Sequence, residues 1–214
     1  MKTLIAVPSM DQVPALFAQS LAMLNKAGDC SICFQIGSLI YTSRNELGKK
    51  AIEIGADYVF WLDSDMIFDP NTLTDMMCTM EENKDIDFLT GLYFRRVQPF
   101  SPVLFDRLDI DAEGCHWSNF KELPKEGLFK VGGCGFGCVL VRTEVLMSVM
   151  AKFNTMFAPI GHVGEDLSFC WRARDCGYDI WCDPRVTLGH VGSTVVTQEF
   201  YENYTLAKEA IDNA

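Results

Sequence analysis

The chain has no apolar run that could cross a bilayer: the longest, Val131 to Val141, is too short and too rich in glycine. Nothing in its first residues resembles a secretory leader, because Met1-Lys2 passes straight into Thr3-Leu4-Ile5-Ala6-Val7 and is stopped by Pro8. Basic residues are few, 18 Lys and Arg against 29 Asp and Glu, giving a formal charge of −11 with no basic stripe. That balance argues against a nucleic-acid-binding surface and an anionic-membrane surface, both of which need clustered cations. Zinc-finger spacing is missing too: Cys30-Ser31-Ile32-Cys33 is the lone CxxC, with no second pair and no CxxxH partner. The nine cysteines therefore read as reduced core thiols. Repeats and low-complexity segments are absent. These absences predict a soluble, cytoplasmic protein that handles small ligands.

What is present is a large apolar inventory. With 214 residues, a hydrophobic fraction of 49% and 15 Phe, the chain can bury one sizeable core, and a single domain over 1–214 is expected. Its patterning alternates strands with helices. Strands are predicted over Lys2–Val7, Ser31–Ile36, Tyr58–Leu62, Ile86–Leu92 and Cys138–Val141, with two short ones over Tyr178–Cys182 and Arg185–Leu188. Helices are predicted over Val13–Asn25, Asn45–Ile54, Glu144–Lys152, from Glu165 to near Gly177, and over Gln198–Ile211. A further helix should run from an Asp69 cap and Pro70 to about Asn83. Ser43-Arg44-Asn45-Glu46 fits a capping box, which would put Arg44 in the first turn of its helix. From Arg95 to Lys130 the pattern dissolves into turns and short β-like pieces. This order is α/β, with a mostly parallel first half, 1–92, and a smaller mixed second half, 93–214.

The most informative segment is Tyr58-Val59-Phe60-Trp61-Leu62-Asp63-Ser64-Asp65, a doubly buried strand that stops on two carboxylates. Ligands of open α/β sheets gather outside the carboxyl ends of such strands. In an extended segment residues i and i+2 share a face, so Asp63 and Asp65 would converge where a hard divalent cation offsets their repulsion.

Four pieces in order then carry a resemblance: Ser43-Arg44-Asn45; Phe60 to Asp65; Gly164-Glu165-Asp166 through Ala173; and Asp183-Pro184 with Gly189-His190. Together they resemble a GT-A glycosyltransferase of the family 2 type. The resemblance implies a metal-dependent transferase that moves a sugar from a nucleotide-diphosphate donor to an acceptor hydroxyl, with Mn²⁺ or Mg²⁺ as cofactor. Asp65 would ligate the metal and Asp63 would reach the ribose, or the metal through water; His190 would complete the metal set. Asp166 would be the base of an inverting reaction, with Glu165 as an acceptor-binding partner or substitute; a retaining reaction would leave Asp166 to orient the acceptor. Pro8, Ser9 and Asp11 would border the nucleobase, and Arg44 and Asn45 the nucleotide phosphates.

Other residues keep two readings. Gly132-Gly133-Cys134-Gly135 either lets a sugar approach the backbone or makes a tight turn. Arg95 and Arg96 meet a diphosphate or an anionic acceptor, or are solvated. Trp117 and Trp181 stack on a sugar or fill the core. Two other functions fit the carboxylates: a nucleotidyltransferase on a related α/β scaffold, and a non-catalytic nucleotide-sugar-binding module. Pro8-Ser9-Met10-Asp11 makes a poor triphosphate cradle, which counts against the nucleotidyltransferase. The acceptor, whether saccharide, lipid-linked glycan, protein or small metabolite, is not encoded in any motif.

Overall fold

A computed structural model describes residues 1–111, 113–192 and 195–212. In chain order the elements are β1 (Lys2–Ser9), α1 (Ala15–Met23), β2 (Asp29–Ile36), α2 (Ile40–Glu53), β3 (Tyr58–Leu62), β4 (Met66–Ile67), α3 (Thr72–Glu82) and β5 (Phe88–Leu92). They continue as β6 (Leu104–Phe105), β7 (Arg107–Asp111), β8 (Gly114–Ser118), β9 (Phe129–Val131), β10 (Gly133–Cys134), β11 (Cys138–Arg142) and α4 (Thr143–Phe153). The chain closes with α5 (Glu165–Asp175), β12 (Ile180–Thr187), β13 (Gly189–Val191), β14 (Val195–Val196) and α6 (Gln198–Asp212).

The central sheet has seven strands in the order β2-β1-β3-β11-β5-β12-β9. Strands β2, β1, β3, β5 and β12 run one way, while β11 and β9 run against them. The sheet is therefore mixed but mostly parallel, as the alternation of elements requires. All five residues of β3 are buried, because helices cover both faces. Trp61 points into a cluster with Leu47 of α2, Leu146 of α4 and Phe169 of α5. Phe60, its neighbour in sequence, points the other way, to Phe17 of α1 and Met76 and Met80 of α3.

Several boundaries differ from expectation. Helix α2 begins at Ile40, with Leu39 in the N-cap position and no side-chain cap. Ser43 is therefore inside the helix, where its hydroxyl hydrogen-bonds Ser38 Oγ at 2.6 Å, and Glu46 pairs with Lys49 rather than closing a box. Burial decides this start: Ser43, Leu47 and Ala51 form one ridge at four-residue spacing against the sheet. Helix α3 starts at Thr72, since the Asp69 carboxylate accepts from Asn71 N at 2.8 Å and makes a turn first. The two short strands expected near the end are one strand, β12. It is irregular between Asp183 and Thr187, where Pro184 has no N–H to give the ladder.

The segment Arg95 to Lys130 holds β6 and the hairpin β7–β8, and β9 carries the chain back to the edge of the central sheet beside β12. A small sheet of order β14-β13-β4 places His190 opposite Met66, one residue past Asp65. All nine cysteines are free. Cys30 and Cys33, three apart on β2, point to opposite faces of the strand. No helix among the described residues is long and apolar enough to cross a membrane.

Candidate active site

A cleft of about 550 Å³ opens beyond the carboxyl ends of β1 and β3, the place where parallel strands leave room for ligands. Pro8 and Ser9 from the end of β1, Arg44 from α2, Asp63 and Asp65 after β3, Glu165 and Asp166 opening α5, and His190 on β13 all line it. Tyr93, Arg96 and Phe136 complete its walls.

Arg44 organises one side. It is 2% exposed, and its Nη2 donates to Asp63 Oδ1 at 2.7 Å while Nε donates to Glu165 Oε1 at 3.1 Å. The guanidinium also lies 5.1 Å from the Phe136 ring centroid, within cation–π range. Burial lowers the Arg44 pKa, but Asp63, Glu165 and Asp166 outweigh it and leave it raised. A charge this buried is tolerated only because carboxylates flank it.

Asp65 organises the other side. Its Oδ2 lies 3.5 Å from His190 Nε2 and is hydrogen-bonded by Arg96 Nη1. Burial pushes the Asp65 carboxyl up, yet His190 and Arg96 hold it below the usual range. His190 Nδ1 is 2.9 Å from the Phe94 carbonyl, which can only accept, so Nδ1 carries the proton and Nε2 is turned toward Asp65. Burial lowers the His190 pKa, but the Asp65 contact and the Phe94 bond leave it raised.

This pair fits a divalent ion. Metal-bound histidines commonly donate their second N–H to a backbone carbonyl, as His190 does, and with the Nε2 proton displaced the imidazole nitrogen beside a carboxylate oxygen would be a donor set suited to Mn²⁺. Asp63 does not join them. Among the described residues no three His, Cys, Asp or Glu side chains converge as a ready metal site. The extended geometry expected for Asp63-Ser64-Asp65 is replaced by a turn, in which Met66 N donates to Asp63 O at 3.3 Å. The turn sends Asp63 to Arg44 and Asp65 to His190.

Asp166 stands in the first turn of α5, its Oδ1 accepting from Leu167 N at 2.7 Å. Burial, then the charge of Glu165 and more weakly that of Asp63, push its pKa from 3.8 to about 6, against the Leu167 N–H and Arg44. Gly164 makes room for it: a Cβ there would sit 2.9 Å from Asp166 Oδ1. Tyr93 gives no sequence signal as a site residue, since it follows an apolar strand end, and Gly164 stands out only as the start of the Gly164-Glu165-Asp166 stretch.

Asn45 and Asp11 do not line the cleft. Successive helical residues point about 100° apart, so Arg44 facing inward turns Asn45 away. Its Oδ1 accepts from Met156 N and Phe157 N, each at 3.1 Å, which ties the 155–157 segment to α2. Asp11 is exposed beyond the rim. Of the other histidines, His116 pairs with Asp111 in the β7–β8 hairpin and His162 is exposed. The glycine cluster serves close packing: a Cβ on Gly132 would meet Leu108 N at 2.7 Å, and one on Gly135 would clash with the Tyr93 hydroxyl.

No protein-family model and no curated protein sequence matches the chain. Solved structures do match in shape. A197 from STIV has a TM-score of 0.67 at 17% identity, over 93% of this chain and 91% of that one. GalNAc-T7 with UDP, GalNAc and Mn²⁺ gives 0.58 at 9% identity; 96% of this chain matches 48% of that one, so this chain spans about half its length. CMP:2-keto-3-deoxy-manno-octonic acid synthetase complexed with CTP gives 0.55 at 13% identity, over 99% and 100%. Identities this low speak for the fold alone, and that fold is α/β of the GT-A, nucleotidyltransferase-like type.

Proposed function

We propose that the chain is a metal-dependent glycosyltransferase, residues 1–214 forming one catalytic unit that passes a sugar from a nucleoside-diphosphate donor to an acceptor hydroxyl with inversion. The observation that carries this reading is Asp166: a carboxyl with a pKa pushed to about 6, in the same cleft as the acidic and basic groups suited to a charged donor. A base that titrates near neutrality can take the proton of a hydroxyl as that oxygen attacks the anomeric carbon. Asp65 and His190 would hold Mn²⁺ or Mg²⁺, which when bound supplies positive charge for the diphosphate leaving group. Arg44 fixes Asp63 and Glu165 so that both present their outer oxygens without shifting during the reaction. Arg96, now on Asp65, is the exposed cation placed to turn toward a diphosphate. The likeness to GalNAc-T7 with UDP, GalNAc and Mn²⁺ supports the donor class.

The likeness to the CTP-bound synthetase supports the second reading, a nucleotidyltransferase. Against it, β1 runs on through Pro8 to Ser9 and is not followed by a lysine-bearing glycine loop for a triphosphate. The deciding experiment is a thermal-shift screen with UDP, GDP, CDP and their sugars, with and without Mn²⁺, followed by product analysis. Release of nucleoside diphosphate from a nucleotide sugar supports the glycosyltransferase; release of pyrophosphate from a nucleoside triphosphate overturns it. A ligand that binds only the folded chain raises the melting temperature by mass action.

A further inference from the structure

A second cavity, a groove of about 300 Å³, lies on the far side of Asp166. Its walls come from Arg95 after β5, Phe105 of β6, Trp117 of β8, Asn119, and Asp166 with Leu167 of α5. Asp166 belongs to the walls of both this groove and the donor cleft. A base at such a junction can touch a hydroxyl brought in from one side and an electrophile held on the other.

The groove has the chemistry of a sugar site. Trp117 is 56% exposed; Phe105 meets it in a T-shaped contact, with ring centroids 5.5 Å apart at 78°, and much of the indole remains open to a ligand. Its backbone is held in the hairpin: Trp117 lies opposite Leu108, which is fully buried, and Asp106 N ties the strand end to Ser118 O at 2.9 Å. An open indole of this size offers an apolar platform with one polar N–H. Above an apolar floor of Phe105 and Leu167, the Arg95 guanidinium and the Asn119 amide have no side-chain hydrogen bond or ion pair among the described residues. An apolar platform with a few uncommitted polar groups at its rim suits a pyranose, which has one C–H face and a border of hydroxyls. A lipid chain would leave those polar groups unmatched, and a polyanion would find one cation.

We propose that this groove binds a saccharide acceptor, its ring stacked on Trp117 and its hydroxyls on Asn119 and Arg95, with one hydroxyl delivered to Asp166. The transfer step, which rests on the glycosyltransferase reading, then balances as follows: the acceptor O–H gives its proton to Asp166 while its oxygen bonds to the donor's anomeric carbon. The anomeric C–O bond to the diphosphate breaks, and its electron pair leaves with the nucleoside diphosphate.

The test is binding of the full chain, without nucleotide, to an immobilised array of defined neutral and acidic glycans, comparing wild type with Trp117→Ala, Trp117→Phe and Asn119→Ala. Melting temperatures confirm that each variant is folded. A defined set of glycans should be retained by wild type, lost about tenfold or more by Trp117→Ala, a drop of one aromatic stacking interaction or more, and partly restored by Trp117→Phe. No glycan retained by wild type, undiminished retention by Trp117→Ala, or nucleosides competing for the Trp117 fluorescence would each overturn the groove assignment. Glycan binding through Trp117 without any nucleotide-induced thermal shift keeps the groove and removes the transferase; a nucleotide shift without glycan binding does the reverse.

Discussion

Arg44 Nη2 lies 2.7 Å from Asp63 Oδ1, so the carboxylate that ends the central strand is bound to a cation sealed inside the protein. Burial of the guanidinium is compensated by Asp63 and Glu165, and the two halves of the site, the turn after β3 and the start of α5, are joined through it.

Removing Arg44 should therefore hurt the fold as well as the site. Arg44→Ala leaves Asp63 and Glu165 facing a cavity without a cation, and the expected loss is roughly 3–5 kcal/mol of unfolding free energy. Arg44→Lys should recover only part of it, because an ammonium cannot serve two carboxylates through a fixed fork. Urea unfolding measures both; a loss below about 1 kcal/mol for Arg44→Ala would show the network to be solvated.

The Asp65 carboxylate is partly exposed and pairs with the side chains of Arg96 and His190. Asp65→Ala should leave the melting temperature of the ligand-free protein within a few degrees of wild type and abolish the Mn²⁺-dependent thermal shift with nucleotide diphosphates. Turnover should fall by at least about a hundredfold, on the scale of losing one electrostatic stabiliser. Full activity without Asp65 would sink the metal assignment.

The pH profile follows from Asp166. Its folded pKa is raised from 3.8 to about 6, so the fold favours the protonated acid. This favourable term is present in full below about pH 4 and is lost as pH rises to about 6, leaving the ionised enzyme less stable by ~1–3 kcal/mol. Activity needs the ionised form, so kcat/KM should climb with pH through about 6. Asp166→Asn should abolish transfer, melt higher than wild type at about pH 7.5, and lose that advantage near pH 4. A wild-type rate that is flat across the interval from about pH 5 to 7.5 would remove Asp166 as base.

Gly164→Ala tests how closely Asp166 is placed. Gly164 has φ −55°, a value alanine adopts freely, so the fold should be unaffected or slightly stabilised. The added methyl would sit 2.9 Å from Asp166 Oδ1 and must displace the carboxyl. The expected result is an unchanged or higher melting temperature with kcat reduced about tenfold or more, since small misplacements of a reacting group are costly.

Tyr93→Phe probes the wall behind the site. The Tyr93 hydroxyl accepts from Gly137 N at 3.0 Å, and its loss leaves a buried donor unpaired. A destabilisation of about 1–3 kcal/mol is expected by thermal or urea unfolding. No change would mean that the Gly137 N–H finds another partner.

Much of this arrangement was legible in the residues. The run Tyr58 to Leu62 is apolar on both faces because both faces are covered, and it ends on Asp63 at a cleft. Glu165 and Asp166 opened a helix, as carboxylates in a first turn should. What misled was local chemistry that tertiary packing outweighed. Ser43 and Glu46 had the spacing of a helix cap, but the ridge of Ser43, Leu47 and Ala51 sets the start of α2 a turn earlier. The resemblance put Arg44 and Asn45 together at the nucleotide, yet the helix turns them to different neighbours.

The sequence by itself determined that the Tyr58–Leu62 strand is buried on both faces and where its carboxylates fall, because hydrophobic period and chain order are local properties. Only the tertiary structure decided which charges meet. Asp63 bends to Arg44 and Asp65 to His190, the latter 125 positions away (190 − 65), because a turn separates two carboxylates that an extended chain would have aimed together. The pairing of β13 with β4 and the shared position of Asp166 between two cavities likewise depend on contacts between distant segments, whose energies are set by burial and distance and leave no trace in local spacing.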